Sequence, residues 1–210
     1  MGYESEKEIN MRAAVFDVET TDLAAVGAGV LMVVCIRPLS TQRTRTFRLD
    51  SYQFEKDDHF GVMEREEQAL LIDVLGELKK YDLLIGHNID KFDIPYLRSR
   101  AFQLQTASEL WPFTYDTYKA FRRVGLRTVM NAFGRPRAGL GHVVDFFGEK
   151  QEKNGIYPVQ HWVAIWGNLK ARTEALDDLC EHCRRDTRMN AAIYPALLAM
   201  DTRALIKRLL

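Results

Sequence analysis

Three short acidic motifs follow one another along this chain: Asp17-Val18-Glu19, the stretch Asn88 to Asp93 (NIDKFD), and the stretch His182 to Asp186 (HCRRD). Their carboxylates at Asp17, Glu19, Asp93 and Asp186, with the imidazole of His182, are the residues whose types could do chemistry together. Carboxylates gathered in one pocket raise each other's pKa, so they stay ionised together only beside cations. Hard, oxygen-seeking ions such as Mg²⁺ or Mn²⁺ are the natural partners. Paired ions roughly 3.5–4 Å apart stabilise both attack and departure at a phosphodiester. The expected cofactors are therefore two divalent cations, Mg²⁺ or Mn²⁺, held by these four acids.

Singly, each motif is ordinary. Asp17 and Glu19 are two apart on a predicted strand and so share a face, but charged pairs end many strands. Asp93 opens a predicted helix, where an acid complements the macrodipole. Asp90, three residues earlier, is expected to be the better N-cap. His182 and Asp186 lie one above the other on a helix face, as ordinary surface pairs do.

The elements that must position these residues are legible as patterns. Met11 to Asp17 is a short apolar run expected as a central strand, Gly29 to Arg37 a β-branched run that pairs with it, and Arg43 to Leu49 a more exposed strand completing an antiparallel meander. Glu64 to Lys80 has one apolar side and reads as a helix. Asp82 to His87 follows that crossover and is expected as a parallel strand. Helices are predicted from about Phe92 to Phe102, from Thr117 to Arg123 with Asp116 as N-cap, and from Leu140 to Phe147 ended by Gly148. The stretch from Gly167 to Leu210 is helical in pattern, with a break expected near Asn190 to Pro195 or at Asp201. The loop Gly148 to Pro158 is the candidate for mobility.

In this order the motifs resemble the DEDD superfamily of 3′–5′ exonucleases. The first motif there is DxE, here Asp17-Val18-Glu19 followed by Thr20-Thr21. The second is Asn, two or three residues, then Phe or Tyr and Asp, here Asn88 to Asp93. The third ends in an Asp on a late helix, here Asp186. Asn88 to Leu97 (NIDKFDIPYL) looks particularly like the proofreading exonuclease domain of family B DNA polymerases. Asp116-Thr117 and Leu140 to Gly148 resemble further recurring segments, and that Asp is not a ligand in the family. The resemblance covers roughly Arg12 to Met200.

It implies an α/β, ribonuclease H-like fold: a mixed sheet of about five strands flanked by helices, as a single domain over residues 11–210 behind a polar leader at 1–10. It implies metal-dependent 3′–5′ hydrolysis of single-stranded DNA or RNA to nucleoside 5′-monophosphates. Asp17, Glu19, Asp93 and Asp186 would hold the ions, and His182 would orient or deprotonate the attacking water. Thr20, Asn88 and Phe92 would help hold the terminal nucleotide.

The third motif departs from the pattern. One branch of the superfamily has Tyr-x₃-Asp there, the other His-x₄-Asp; this chain has His-x₃-Asp. At about 100° per residue, x₃ partners share a helix face and x₄ partners rotate apart. His182 thus occupies the tyrosine's place with a shorter side chain.

Net charge is zero, so a nucleic acid would be gripped by a local patch rather than drawn by a global field. From Thr117 to Val144 there is no acid, while Lys119, Arg122, Arg123, Arg127, Arg135 and Arg137 supply positive charge, either for phosphate contacts or as a solvated basic face. Trp162 and Trp166 share a face if Val159 to Gly167 is helical, and packing on the core is favoured over stacking on a base. His87, His142 and His161 have no ligand-like spacing and read as structural or surface residues.

At 210 residues, with 47% hydrophobic and 28% charged residues, the composition is that of a globular domain. The longest apolar run, Ala24 to Ile36, is too short and glycine-interrupted to span a bilayer, so no membrane partner is expected. An odd cysteine count without an export signal favours a reducing cytoplasm. Cys180 and Cys183 form a CxxC inside a helical pattern with no second ligand pair, and read as half-buried helix cysteines. Two other classes stay open: a non-catalytic nucleic-acid-binding module that has kept the fold, and an accessory subunit serving a polymerase or helicase.

Overall fold

The computed structural model describes residues 11–23, 25, 29–52, 59–106, 111–125, 138–149 and 158–209; at 59–62, 158–160, 162 and 203–209 it describes the backbone alone. The leader at 1–10, the predicted loop over residues 150–157, and Arg127, Arg135 and Arg137 lie outside the described residues.

The β-branched, apolar runs become the middle of a sheet. Strand β1 (Ala13–Thr20) pairs antiparallel with β2 (Leu31–Pro38), which pairs antiparallel with β3 (Arg45–Arg48). This is the expected meander. On its other edge β1 pairs in parallel with β4 (Leu83–Gly86), reached through helix α1 (His59–Leu78). A fifth strand, β5 (Phe113–Asp116), pairs in parallel with β4 and completes the order β3-β2-β1-β4-β5. The sequence reading missed β5 because four residues are too few to show a period. Strand β1 also runs further than expected, so the whole acidic motif is sheet.

Alternation along β1 and β2 sorts the two faces. Phe16, Val18, Val34 and Ile36 point into a core with Leu70, Leu71, Val74 and Leu78 of α1 and Tyr96 and Leu97 of α2 (Asp93–Gln103). Val33 and Cys35 point the other way. They pack with Ala164 of α5 (Pro158–Trp166) and with Leu176, Leu179, Cys180 and Cys183 of α6 (Leu169–Leu209). Asp17 sits opposite Cys35 and Glu19 opposite Val33, so the acidic pair faces α6. A third cluster joins α3 (Thr117–Arg123) and α4 (Leu140–Phe146) to Ile193 and Leu197 of α6. Gly148 follows α4 at φ 73°, the left-handed conformation that ends a helix there as predicted.

Four expectations are corrected. Helix α6 is continuous through Pro195 and Asp201. An interior proline costs about 3 kcal/mol. Here Pro195 is exposed, while Ile193 and Leu197 are buried on either side. Buried Asn190 and Asp201 are further fastened, to Thr117 and Arg123 respectively. Asp90 does not cap α2, whose N-cap Phe92 makes no side-chain bond. It accepts instead from Thr114 Oγ1 (2.5 Å) and Lys119 Nζ (2.7 Å). Trp166 is 58% exposed, outside the core it was expected to join. Cys180 and Cys183 are fully rather than half buried, because α6 lies flat on the sheet.

One buried ion pair ties α1, α2, β2 and the segment after β1 together. Glu67 takes the Arg100 guanidinium and the Leu31 amide (2.8 Å), and Arg100 also donates to Ala25 O (3.3 Å). Glu67 and Arg100 are 1% and 5% exposed. Arg100→Ala should strand a buried carboxylate and cost about 3–5 kcal/mol in denaturant unfolding. A paired replacement of both by apolar residues should cost far less; equal losses would show that the pair is not what the site depends on.

Candidate metal centre

Three elements carry the acids of the three motifs: β1, the start of α2, and α6. Asp17 and Glu19 leave the same face of β1. At the end of this motif the register skips Met32, from Glu19↔Val33 to Thr20↔Leu31, a bulge of the kind that re-aims side chains beside functional sites. Asp93 is the first residue of α2, 4% exposed. The turn that launches it begins at Asn88, held at φ 64°, a conformation Asn tolerates better than most residues. Asp116 pins that turn: its carboxylate accepts from the amides of Asn88 (3.1 Å) and Asp90 (3.4 Å) while capping α3 through Lys119 N (3.2 Å). The cap is as predicted; the second task was not visible in sequence. Asp186 comes from α6. Asn190 Nδ2 donates to its carbonyl (3.1 Å), and Thr117 Oγ1 donates to Asn190 Oδ1 (2.8 Å).

The acids feel one another. Asp17 is pushed well above the usual carboxylate range, first by burial and then by the charges of Asp93, Glu19 and Asp186. Asp93 is pushed up to about 7, chiefly by burial, with Glu19 and Asp116 adding to it and the amides of Asp93 and Val18 opposing. Asp186 is raised by burial and by Glu19, against His182 and Arg185. Its Oδ1 is buried and accepts no hydrogen bond, with Arg185 Nε at 3.6 Å. A buried carboxylate oxygen left in this way, among acids that repel it, is what a hard cation would satisfy. Asp17 and Glu19 offer carboxylate oxygens within 4.8 Å of one another, a donor type that fits a hard divalent ion, and the charges of Asp93 and Asp186 reach Asp17.

Three neighbours complete the centre. His182 Nε2 stands 3.7 Å from Glu19 Oε1 and 3.8 Å from Asp186 Oδ2, where the third motif was expected to bring it. His161 Nε2 lies 3.5 Å from Glu19 Oε2. No spacing along the chain points to it, since only the packing of α5 beside α6 brings it there. Cys183, expected as a half-buried helix cysteine, has its Sγ within 4.8 Å of ligand atoms of Asp17 and Glu19. It donates to the Asp17 carbonyl (3.2 Å), and burial pushes its thiol far up. The protonated thiol is a donor that braces β1 against α6.

The residues expected to hold nucleic acid are placed as follows. Thr20 is nearly buried and donates to Asp22 O (2.7 Å). Phe92 packs against the core with its ring 5.6 Å from that of Tyr96. Arg122 is exposed and lies over Tyr118, donating to its hydroxyl (3.0 Å). Arg123 is engaged with the buried carboxylate of Asp201, and Lys119 with Asp90. Among the described residues, no helix is long and apolar enough to cross a membrane.

A family model described as the RNase_H superfamily matches residues 14–198. Among the solved structures that resemble this one is the family B DNA polymerase from the hyperthermophilic archaeon Pyrobaculum calidifontis. The TM-score is 0.57 at 19% identity, over 92% of this chain and 27% of that one. This chain thus spans about a quarter of the length of that polymerase, and the likeness is one of fold. No curated protein matches the sequence.

The raised acids carry a pH signature. The folded protein binds the Asp93 proton more tightly than the unfolded chain does, so this contribution is full below the ordinary value of 3.8 and is lost as pH rises through about 7. Without metal, wild type should therefore gain stability relative to Asp93→Asn as pH falls from about 8 to about 5. Thermal melts of the two proteins check it; a difference that does not vary with pH would contradict the shift.

Proposed function

From the chain's membership of the ribonuclease H superfamily we propose that it is a metal-dependent nuclease, and specifically a 3′–5′ exonuclease acting on single-stranded DNA or RNA ends to release nucleoside 5′-monophosphates. The observation that carries the reading is the half-buried acidic cluster at Asp17 and Glu19, with Asp93 and Asp186, from two other elements, near enough for their charges to act on Asp17. The fold shared with a family B DNA polymerase supports a nuclease in general terms.

Two divalent cations, Mg²⁺ or Mn²⁺, would supply Lewis acidity there, lowering the pKa of the attacking water and stabilising the leaving 3′-oxygen. The protein's part is to hold and orient. Asp17 and Glu19 sit on the rigid middle strand. Asp93 and Asp186 are fixed by the Asp116 and Asn190 networks, so the acids are preorganised. His182 would orient or deprotonate the water. Asn88, Thr20 and Phe92 would position the terminal nucleotide. Arg122, exposed on α3, is suited to the phosphate backbone, with Arg127 as a further candidate; Arg123 would first have to leave Asp201. A polymerase or helicase could present the strand end.

Asp17→Ala or Asp93→Ala should lower the rate on the order of 10²-fold or more while the fold persists. Wild-type turnover by purified Asp17→Ala would remove the assignment.

Strand polarity gives a separate test. A 5′-labelled single strand incubated with Mn²⁺ should shorten as a ladder, and a blocked 3′ end should stop it. Rapid cleavage of a closed circular single strand would show an endonuclease instead, and binding without any cleavage would favour the non-catalytic module.

A further inference from the structure

Asp93 and Asp186 reach the acids of β1 from different elements, and the supports of both meet at the corner where β5 becomes α3. Asp116 is the last residue of β5 and Thr117 the first of α3. They are 5% and 0% exposed. Their Cα atoms, as consecutive ones, stay about 3.8 Å apart. The two side chains serve different partners. A carboxylate oxygen accepts, and those of Asp116 take the amides of Asn88 (3.1 Å) and Asp90 (3.4 Å), in the turn that leads to Asp93. That turn is closed on itself, because the amides of Lys91 and Phe92 both donate to Asn88 O (3.0 Å).

Thr117 reaches the other acid through a fixed order of donors and acceptors. The Asp186 carbonyl can only accept, so Asn190 turns its Nδ2 toward it (3.1 Å). That leaves Asn190 Oδ1, an acceptor, to meet the Thr117 hydroxyl (2.8 Å). Gly86 O (3.2 Å) and His87 Nδ1 (3.1 Å) lie further from the same hydroxyl oxygen. Asn190 is 0% exposed, and a buried amide oxygen without a donor is costly.

We infer that Asp116 and Thr117 act as one positioning unit that fixes the separation of Asp93 from Asp186, and with it the affinity of the centre for divalent cations. The turn before Asp93 hangs from the carboxylate, the helix carrying Asp186 hangs from the hydroxyl, and a single peptide link joins the two. Neither residue is a ligand. Both act through the groups that hold the acids, as the outer partners of metal ligands do. Separate supports would let one half of the centre drift while the other stayed; one corner makes the halves move together. The inference rests on the reading of the four acids as a cation centre, and not on cleavage or strand polarity.

Mn²⁺ affinity, read by electron paramagnetic resonance at one pH, is the test. Thr117→Val keeps the shape of the side chain and removes the hydroxyl. It should weaken Mn²⁺ binding on the order of 10-fold or more, the usual scale for losing an outer partner. Thr117→Ser keeps the donor and should bind as wild type does. A purely structural Thr117 would lower the melting temperature of Thr117→Val and leave its Mn²⁺ affinity unchanged, which would overturn the inference. So would a Thr117→Ser protein as weak as Thr117→Val. Asp116→Asn is a second route if Thr117→Val fails to fold, and it too should weaken binding on the order of 10-fold. With both substitutions the loss should fall short of the product of the single losses, as for coupled residues. Losses that multiply would show two independent supports and overturn the single unit. A wild type with this pattern of Mn²⁺ binding and no cleavage of any strand would sustain the unit and sink the exonuclease reading. A wild type that cleaves, with Thr117→Val and Asp116→Asn holding Mn²⁺ as tightly as it does, would do the reverse.

Discussion

Mutual repulsion among four carboxylates is the constraint the rest of this structure answers to. Asp17, Glu19, Asp93 and Asp186 would separate if their backbones were free to move, and burial makes the charge more costly still. What holds them is an arrangement in which none of the acids sits on a pliant loop. Two leave the middle strand of the sheet, one opens a helix whose lead-in turn is fastened by Asp116, and one is carried on a long helix clamped to β4 and α3 through Asn190 and Thr117. Cys183 adds a brace from the same helix to the carbonyl of Asp17. A domain with no use for cations would have little reason to sustain this.

Sequence revealed the parts that rest on local pattern. The antiparallel meander, the parallel fourth strand and the α3 cap followed from residue periodicity and from Asp116 standing just ahead of a helix. The acids proposed for the centre stand out in sequence because three motifs fall in an order that resembles a known superfamily's. What stayed hidden was set by tertiary contact. His161 comes to Glu19 only because α5 lies beside α6. Helix α6 runs through Pro195 only because buried neighbours hold it on both sides. The second task of Asp116 spans the gap from α3 back to Asn88, and no local rule encodes that distance. Asp90, the better cap by residue preference, was claimed by Thr114 and Lys119.

The basic segment shows the same limit of composition. A run of cations without acids reads as a phosphate-binding face, yet Lys119 and Arg123 find carboxylates brought in from α6 and from the turn before α2. Charge counted along a chain overstates the charge offered to a ligand when the fold supplies counterions from elsewhere. The packing that creates the acidic centre thus also decides which cations remain to serve it.

The claim at the root of this reading is that the four carboxylates form one cation-holding centre. Titration calorimetry of Mn²⁺ into the protein, in buffers of different ionisation enthalpy, tests it most directly. Because Asp93 titrates at about 7 and Asp17 well above its ordinary range, binding below neutral pH should expel protons, and that release should shrink as pH rises. Mn²⁺ that fails to bind, or that binds with no proton release at any pH and equally well to Asp17→Asn, would contradict it.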